Sequence, residues 1–360
     1  MKTDISPRII PVFIPHAGCP HQCVFCNQRA VTGSDATAPA VTAVAQAMVT
    51  CAGRGETDPR PVQIAFYGGN FLGLPPETVV ALLAAAARFV ESGQVDSIRF
   101  STRPDTVSVD TLALVSRYPV ATVEIGAQSM SDAVLARSRR GHRSGDTIRA
   151  VQLLKATGLE IGLQMMVGLP GDDDSTAIAS GQAIAALAPD FVRIYPTVVL
   201  AGSPLARWYR QGRYRPLGLE AAVNVTKKLL ILYHNCHIPV IRMGLQASAE
   251  LDSGPSLLAG PYHPAFGHLV YEALFFDAIC RRLSGQRQGQ DVTIAVHPNN
   301  QSKLRGLKNR NIKRLKSRFQ PQGLTIETNV GLAPEVVAVN GHVCPVYDGP
   351  GNTKTAGGDA

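Results

Sequence analysis

Six short apolar runs constrain this chain most, because a helical pattern separates each run from the next. β-rich runs occur at 9–15 (IIPVFIP), 62–67 (VQIAFY), 97–101 (SIRFS), 121–126 (ATVEIG), 160–167 (EIGLQMMV) and 191–199 (FVRIYPTVV). Helical spacing marks about 40–51, 76–91, 107–117, 130–157 with a break at Gly141, and 174–187. Strands alternating with helices of this length predict βαβ units and a parallel α/β sheet. Each run also ends in glycine or polar residues. A cysteine loop follows the first, GGNF (68–71) the second, TRPD (102–105) the third, GAQS (126–129) the fourth, GLPG (168–171) the fifth and LAGS (200–203) the sixth. Parallel barrels and open sheets build their sites at this carboxyl end.

From about residue 217 the alternation fades. LEAAVNVTKKLLILYH and GHLVYEALFFDAICRRL have helical patterns, and IPVIRMGL, DVTIAVHP, LTIET and EVVAVN have strand patterns. The expected division is a core at 1–215, an α+β extension at 216–346 and a disordered Gly-rich tail at 347–360.

FIPHAGCPHQCVFCNQ (13–28) places Cys19, Cys23 and Cys26 at C-x3-C-x2-C spacing in the first strand-end loop. Thiolates on a loop can hold zinc, an iron–sulfur cluster or a redox disulfide. Zinc requires a fourth ligand, for which His16 and His21 are the local candidates in a spacing that fits no usual finger. A redox pair would use Cys23 and Cys26 and leave Cys19 unexplained. A four-iron cluster on three thiolates leaves one iron open to a small molecule, and the spacing favours this reading.

Composition narrows the class. The chain has 360 residues, 45% hydrophobic and 17% charged, with seven cysteines. An odd cysteine count in a long chain argues against a secreted disulfide framework. The first residues, MKTDISPRII, lack a signal-peptide h-region. The longest apolar stretch, 79–90, is shorter than the roughly 20 residues of a membrane span, so a cytoplasmic protein that touches no membrane is expected. The formal charge is +8, and eight basic residues with no acidic one fall in KLRGLKNRNIKRLKSR (303–318). Such a segment suits an RNA backbone or another polyanion, or forms a solvated helix face.

The cysteine loop with Phe25 inside its last pair, followed by YGGNF (67–71), EIGAQS (124–129) and MVGLPG (166–171), resembles the radical S-adenosylmethionine (SAM) superfamily. TRPD, EIGAQS, RGH (140–142), MMVGLPG (165–171) and RIYPTVVLAGSPLARWYRQGRY (193–214) narrow the likeness to the radical half of the elongator catalytic subunit, which modifies wobble uridines in tRNA. Residues 242–276 resemble the C-terminal extension of related bacterial proteins, oxygen-independent coproporphyrinogen oxidase among their kin. Two departures stand out. The elongator subunit spaces its first two cysteines more widely. It also carries an acetyltransferase domain for which this chain has no room, so acetyl transfer is not carried over.

The resemblance implies a partial (β/α)6 TIM-like barrel with a C-terminal α+β extension. It implies a [4Fe-4S] cluster on Cys19, Cys23 and Cys26 whose fourth iron is chelated by SAM, which is reductively cleaved to a 5'-deoxyadenosyl radical that takes hydrogen from substrate. Phe25, Gly68, Gly69, Asn70, Glu124, Gln128, Arg140, Met165, Val167 and Gly168 are the expected SAM-side residues. Arg140 would pair with the methionine carboxylate, Glu124 and Gln128 would meet ribose or methionine, and Met165, Val167 and Gly168 would form the wall under adenine. Tyr195 and Arg103 are the expected catalytic residues at the barrel mouth. Expected partners are a low-potential donor of the flavodoxin or ferredoxin kind and tRNA, through the 303–318 segment. The alternative keeps the chemistry on a small metabolite or tetrapyrrole. A zinc- or cluster-stabilised RNA-binding protein is a third reading, disfavoured by the six strand-end motifs.

Overall fold

The computed structural model describes residues 7–14, 18–20, 22–27, 40–51, 60–252, 254–285 and 287–348. Six strands lie where the runs predict them: β1 (Arg8–Phe13), β2 (Val62–Tyr67), β3 (Ser97–Thr102), β4 (Val120–Gln128), β5 (Glu160–Val167) and β6 (Phe191–Pro196). The last run does not continue to 199. After Pro196 the chain leaves the sheet, and β7 (Val199–Leu200) pairs antiparallel with a later strand, β9 (Leu257–Ala259). The helical pattern at 130–157 becomes two helices, Asp132–Arg137 and Ser144–Lys155, split around Arg139 and Gly141 in left-handed backbone.

A seventh strand, β8 (Val240–Met243), extends the sheet, which runs β1-β2-β3-β4-β5-β6-β8 with every neighbour parallel. Sequence neighbours being spatial neighbours is the order of a barrel wall, not of a doubly wound sheet. Curvature follows from one contact. Strands β2 and β6 are four places apart, roughly 19 Å in a flat sheet. Yet Arg193 Nη2 on β6 donates to the Tyr67 hydroxyl on β2 at 3.0 Å. The sheet therefore curls until opposite walls touch across its lumen. Among the described residues β1 and β8 are not paired, so the barrel stays open on that side.

The faces of the wall differ in chemistry. Ile64, Phe66, Ile98, Phe100, Val123, Ile125, Leu163, Val192 and Ile194 point outward and are buried under the helices. Alternate positions, Gln63, Arg99, Glu124, Gln164 and Arg193, point inward and bond to one another, as the period of two in a strand requires. The ring of Phe71 stacks between Phe66 and Phe100, with centroids 4.9 and 4.6 Å away, and anchors the loop after β2 in the outer core.

The extension carries its own sheet, ordered β11 (Leu324–Thr328), β10 (Val292–Val296), β12 (Val336–Val339) and β13 (His342–Pro345), packed on the helix Phe266–Leu283. The helix Leu219–Asn235 belongs to both cores. Val225, Leu229 and Tyr233 join the barrel core, whereas Ala222, Val223 and Leu230 join that of the extension. A boundary at 215/216 thus falls ahead of a helix and a strand that pack on and pair with the barrel. Of the expected tail, Tyr347 stacks on His234 with centroids 3.7 Å apart, and 349–360 lie outside the described residues.

Leu229→Ala removes a fully buried side chain and is expected to cost about 2–5 kcal/mol. Because the two cores share this helix, urea unfolding should show one transition moved to lower denaturant. Two separate transitions, with only one displaced, would mean that the extension folds independently.

Candidate functional site at the carboxyl ends of the strands

The loop that carries the cysteines is tied to the barrel mouth at several points. Asn70, fully buried after β2, donates its Nδ2 to the Gly18 carbonyl at 2.8 Å. Its Oδ1 accepts from Thr102 Oγ1 at 2.8 Å, the Arg103 amide at 2.9 Å and Thr106 Oγ1 at 3.0 Å. Gly18 has φ +71, and a Cβ there would sit 2.2 Å from the Asn70 carbonyl oxygen. Only glycine lets the two loops approach this closely. Farther along, the Val24 amide donates to the Ser138 carbonyl, the Leu205 amide to the Val24 carbonyl, and Asn27 Nδ2 to the Ala201 carbonyl. The cysteine loop is thereby joined to the loops after β2, β4 and β6.

Cys23 is buried and receives Arg140 Nη1 at 3.3 Å on its Sγ, while Arg140 Nη2 donates to the Gly126 carbonyl at 2.7 Å. Burial pushes the Cys19 thiol above its ordinary range, the Arg140 guanidinium pulls it down, and nearby Cys23 adds to the rise. Among the described residues no three Cys, His, Asp or Glu side chains are gathered on one point. The loop nonetheless offers soft sulfur donors, with a guanidinium already on one of them, and that donor chemistry suits an iron–sulfur cluster. The thiols would lose their protons as a metal bound.

Arg103 is 2% exposed and forms a two-pronged pair with Asp105, Nε to Oδ1 and Nη2 to Oδ2, both at 2.9 Å. Its field reaches Cys19. Arg140 and Gln128, which closes β4 at φ 67, converge over Gly126. Gly68 turns the chain after β2 at φ 94, with Gly69 next to it. Phe25 packs against the cluster of Val24, Val199, Leu205 and Tyr214. Tyr195 is half-buried on the luminal side, its hydroxyl 3.5 Å from Arg193 Nη1.

Four of the expected site residues are engaged otherwise than expected. The Glu124 carboxylate is taken up by protein donors: its Oε1 accepts from the Tyr67 hydroxyl at 2.8 Å, Arg99 Nη1 at 2.9 Å and Arg193 Nη2 at 2.8 Å, and its Oε2 accepts from Gln164 Nε2 at 2.8 Å. Four donors fill the capacity of a carboxylate. Asn70 likewise commits its oxygen to three donors, and so holds the loops together. Met165 and Val167 point outward into the hydrophobic core, where the Tyr233 hydroxyl lies 3.0 Å from Met165 Sδ, and so form no wall in the lumen. Their strand alternates, and the luminal residue between them is Met166. Gly168 closes β5 at φ 76 and accepts from the Tyr214 hydroxyl at 2.7 Å.

Sequence reasoning missed Gln63, Arg99 and Gln164. The signal was present: a polar side chain at every second position of an apolar run marks the inner face of a barrel. It also passed over His142, 5% exposed and without a hydrogen-bond partner on either ring nitrogen among the described residues. Burial, with Arg140 and Arg103 nearby, pushes its imidazole down to about 4.

The Radical SAM superfamily profile matches residues 13–180, and the Radical_SAM C-terminal domain profile matches 189–275. A tRNA uridine(34) acetyltransferase of Methanocaldococcus infernus is 34% identical over 127 residues, 34% of this chain and 24% of that protein. Elongator complex protein 3 of Schizosaccharomyces pombe is 29% identical over 191 residues, 48% of this chain and 35% of that protein. The chain thus spans about a third or less of the length of these two relatives. The solved structure of the archaeal Methanocaldococcus infernus Elp3 aligns with a TM-score of 0.57 at 20% identity, covering 76% of this chain and 63% of that one, a likeness of fold.

Two outcomes follow from the buried charges. Glu124→Gln leaves the Arg99 and Arg193 guanidiniums without their shared carboxylate, and should lower unfolding stability by about 3–5 kcal/mol in the absence of any ligand. A variant as stable as the parent would mean that the lumen does not depend on this ion pair. In the second case, folded His142 is neutral between pH 6.5 and 4, where the unfolded chain binds the proton, so its contribution falls as pH drops through that window. Asp172, pushed up to about 6 by burial, works in the opposite direction there, so the quantity to read is a difference. His142→Leu should lose less stability than the parent from pH 6.5 to 4.5, by on the order of 2 kcal/mol. Identical pH slopes for the two proteins would refute this.

Proposed function

Because this chain belongs to the radical SAM superfamily, we propose that it is a radical SAM enzyme that acts on RNA, tRNA above all. Cys19, Cys23 and Cys26 hold a [4Fe-4S] cluster, and the neighbouring strand-end loops hold SAM. When bound, the cluster and SAM together supply one-electron reductive cleavage, methionine and a 5'-deoxyadenosyl radical being the products. The protein's own residues position and shield. Asn70 and the backbone hydrogen bonds from Val24 to Ser138 and from Leu205 to Val24 keep the cysteine loop over the lumen. Arg140 places a positive charge on Cys23, and Arg103, already neutralised by Asp105, leaves one nitrogen, Nη1, without a partner among the described residues. The charged lumen below, built on Glu124, keeps the mouth polar. The observation that carries this reading is a cysteine loop fastened to three strand-end loops above a polar half-barrel.

RNA as substrate draws on two supports. Relatives carry the names tRNA uridine(34) acetyltransferase and Elongator complex protein 3, and the basic segment presents exposed cations. Within that segment Arg310 pairs with Glu272, and Arg314 lies 3.8 Å from the Phe276 ring centroid. Lys308, Lys313 and Lys316 are exposed and make no ion pair among the described residues, so they are the better phosphate contacts. A flavodoxin- or ferredoxin-like donor supplies the electron. No described helix is long and apolar enough to cross a membrane.

Anaerobic reconstitution is expected to load about four irons per chain and, after dithionite reduction with SAM, to yield 5'-deoxyadenosine. Cys23→Ala should abolish both. Tightly bound zinc with no deoxyadenosine would overturn the radical reading. Binding to tRNA should weaken steeply with salt, and the slope should drop by about one for each of Lys308, Lys313 and Lys316 neutralised. Salt-insensitive or absent binding would exclude RNA.

A further inference from the structure

A cavity of about 470 Å³ lies at the end of β5, to the side of the barrel mouth. The Gly168–Asp172 loop forms one wall, the end of the helix Asp132–Arg137 a second, and the helix Pro204–Arg210 with the segment after it a third. Its size is that of a small-molecule site. Neither the cysteine loop nor the luminal network lines it.

The chemistry of the lining is specific. Arg137, Arg213 and Arg215 are exposed on the rim, and Arg139 stands 5.9 Å from the Trp208 ring centroid, with Arg213 5.3 Å from the same ring. Among the described residues no carboxylate lies within ion-pair distance of any of these four arginines. Leu169, Pro170 and Leu217 supply apolar surface beside Trp208. Asp172 also lines the cavity; its Oδ2 accepts from the Gly168 amide at 3.0 Å, and its buried Oδ1 has no hydrogen-bond partner among the described residues. The wall is built to this shape. Tyr214 is held by its hydroxyl on the Gly168 carbonyl at 2.7 Å. Gly171 has φ +82, and a Cβ there would lie 2.7 Å from Cδ of Arg137, so glycine lets that arginine lie along the loop.

Unpaired guanidiniums select an anion, and their planar fork suits phosphate oxygens. An indole beside aliphatic side chains suits the face of a base. An unused carboxylate oxygen suits an exocyclic amino or imino N–H. SAM fits poorly, since its sulfonium and ammonium outweigh its carboxylate and this rim would repel it. We propose that this cavity is a nucleotide site, taking one 5'-phosphorylated nucleotide unit with its phosphate on Arg137, Arg213 and Arg215 and its base against Trp208. The inference rests on the RNA reading above only in making that unit part of an RNA substrate. The site then grips the RNA beside the mouth while the target residue enters it.

Trp208 is the single tryptophan of the chain, so its emission reports on this wall alone. The full chain is titrated with uridine 5'-monophosphate, adenosine 5'-monophosphate, uridine and inorganic phosphate. Both monophosphates should quench emission saturably, with uridine and phosphate at least tenfold weaker. Arg137→Ala and Arg213→Ala, both at exposed positions, should each raise the dissociation constant fivefold or more. No saturable response, or one unchanged in the double variant, overturns the site. Unmodified tRNA should displace the monophosphate competitively, and failure to compete overturns its assignment to an RNA substrate. Deoxyadenosine formation is read separately. Its loss with nucleotide binding intact sinks the radical reading alone, and its persistence without nucleotide binding sinks this one alone.

Discussion

One carboxylate organises the barrel. Glu124, with no exposed surface, accepts hydrogen bonds from side chains on β2, β3, β5 and β6 while sitting on β4 itself. Two of those donors are guanidiniums. A buried carboxylate alone would be neutralised or expelled, and two buried guanidiniums alone would repel each other. Together they compensate, and they do so only if the sheet curls far enough to bring Arg193 and Tyr67 within reach. Closure and charge balance are thus the same event, and the polar lumen is its consequence.

The cysteine loop depends on that curvature. Asn70 can bond Gly18 on one side and Thr102, Arg103 and Thr106 on the other because β2 and β3 end at the same level, and Phe71 is held by the aromatic stack beneath. Arg140 reaches Cys23 because the loop after the helix Asp132–Arg137 returns over β4. Three sulfur donors, two arginines and a buried histidine are therefore concentrated at one rim of the barrel by backbone geometry. The end of that helix places Arg137 at the Trp208 cavity and the loop after it brings Arg139 to 5.9 Å from the Trp208 ring, so the two regions share one support.

The helix Leu219–Asn235 extends this economy to the whole molecule, since its two faces serve two cores. Its consequence is positional. The basic helix Arg310–Phe319 is not on a loose appendage but is packed through Leu315 on the extension's core and by Asn311 on Glu272 and Leu304. Its exposed lysines therefore hold a set place relative to the barrel.

Local pattern determined a great deal here. The six strands, the helices between them, the α+β character of the last third and the cysteine spacing all depend on short-range periodicity and turn chemistry, which a linear sequence displays. What it could not display is which face of a strand looks where, and what a polar side chain will meet. Glu124 looked like a ligand contact because a carboxylate in an apolar strand must have a partner; only the closed wall reveals that the partners are Arg99, Arg193, Tyr67 and Gln164. The resemblance of MMVGLPG put Met165 and Val167 in a cofactor wall, yet their parity on β5 turns them outward. The strand β8 could be read as a strand but not as the barrel's seventh, since pairing joins residues nearly fifty positions apart (Val192 with Val240). Residue type and spacing are local properties, whereas burial, partnership and register are set by the chain returning on itself, and those were decided by tertiary structure alone.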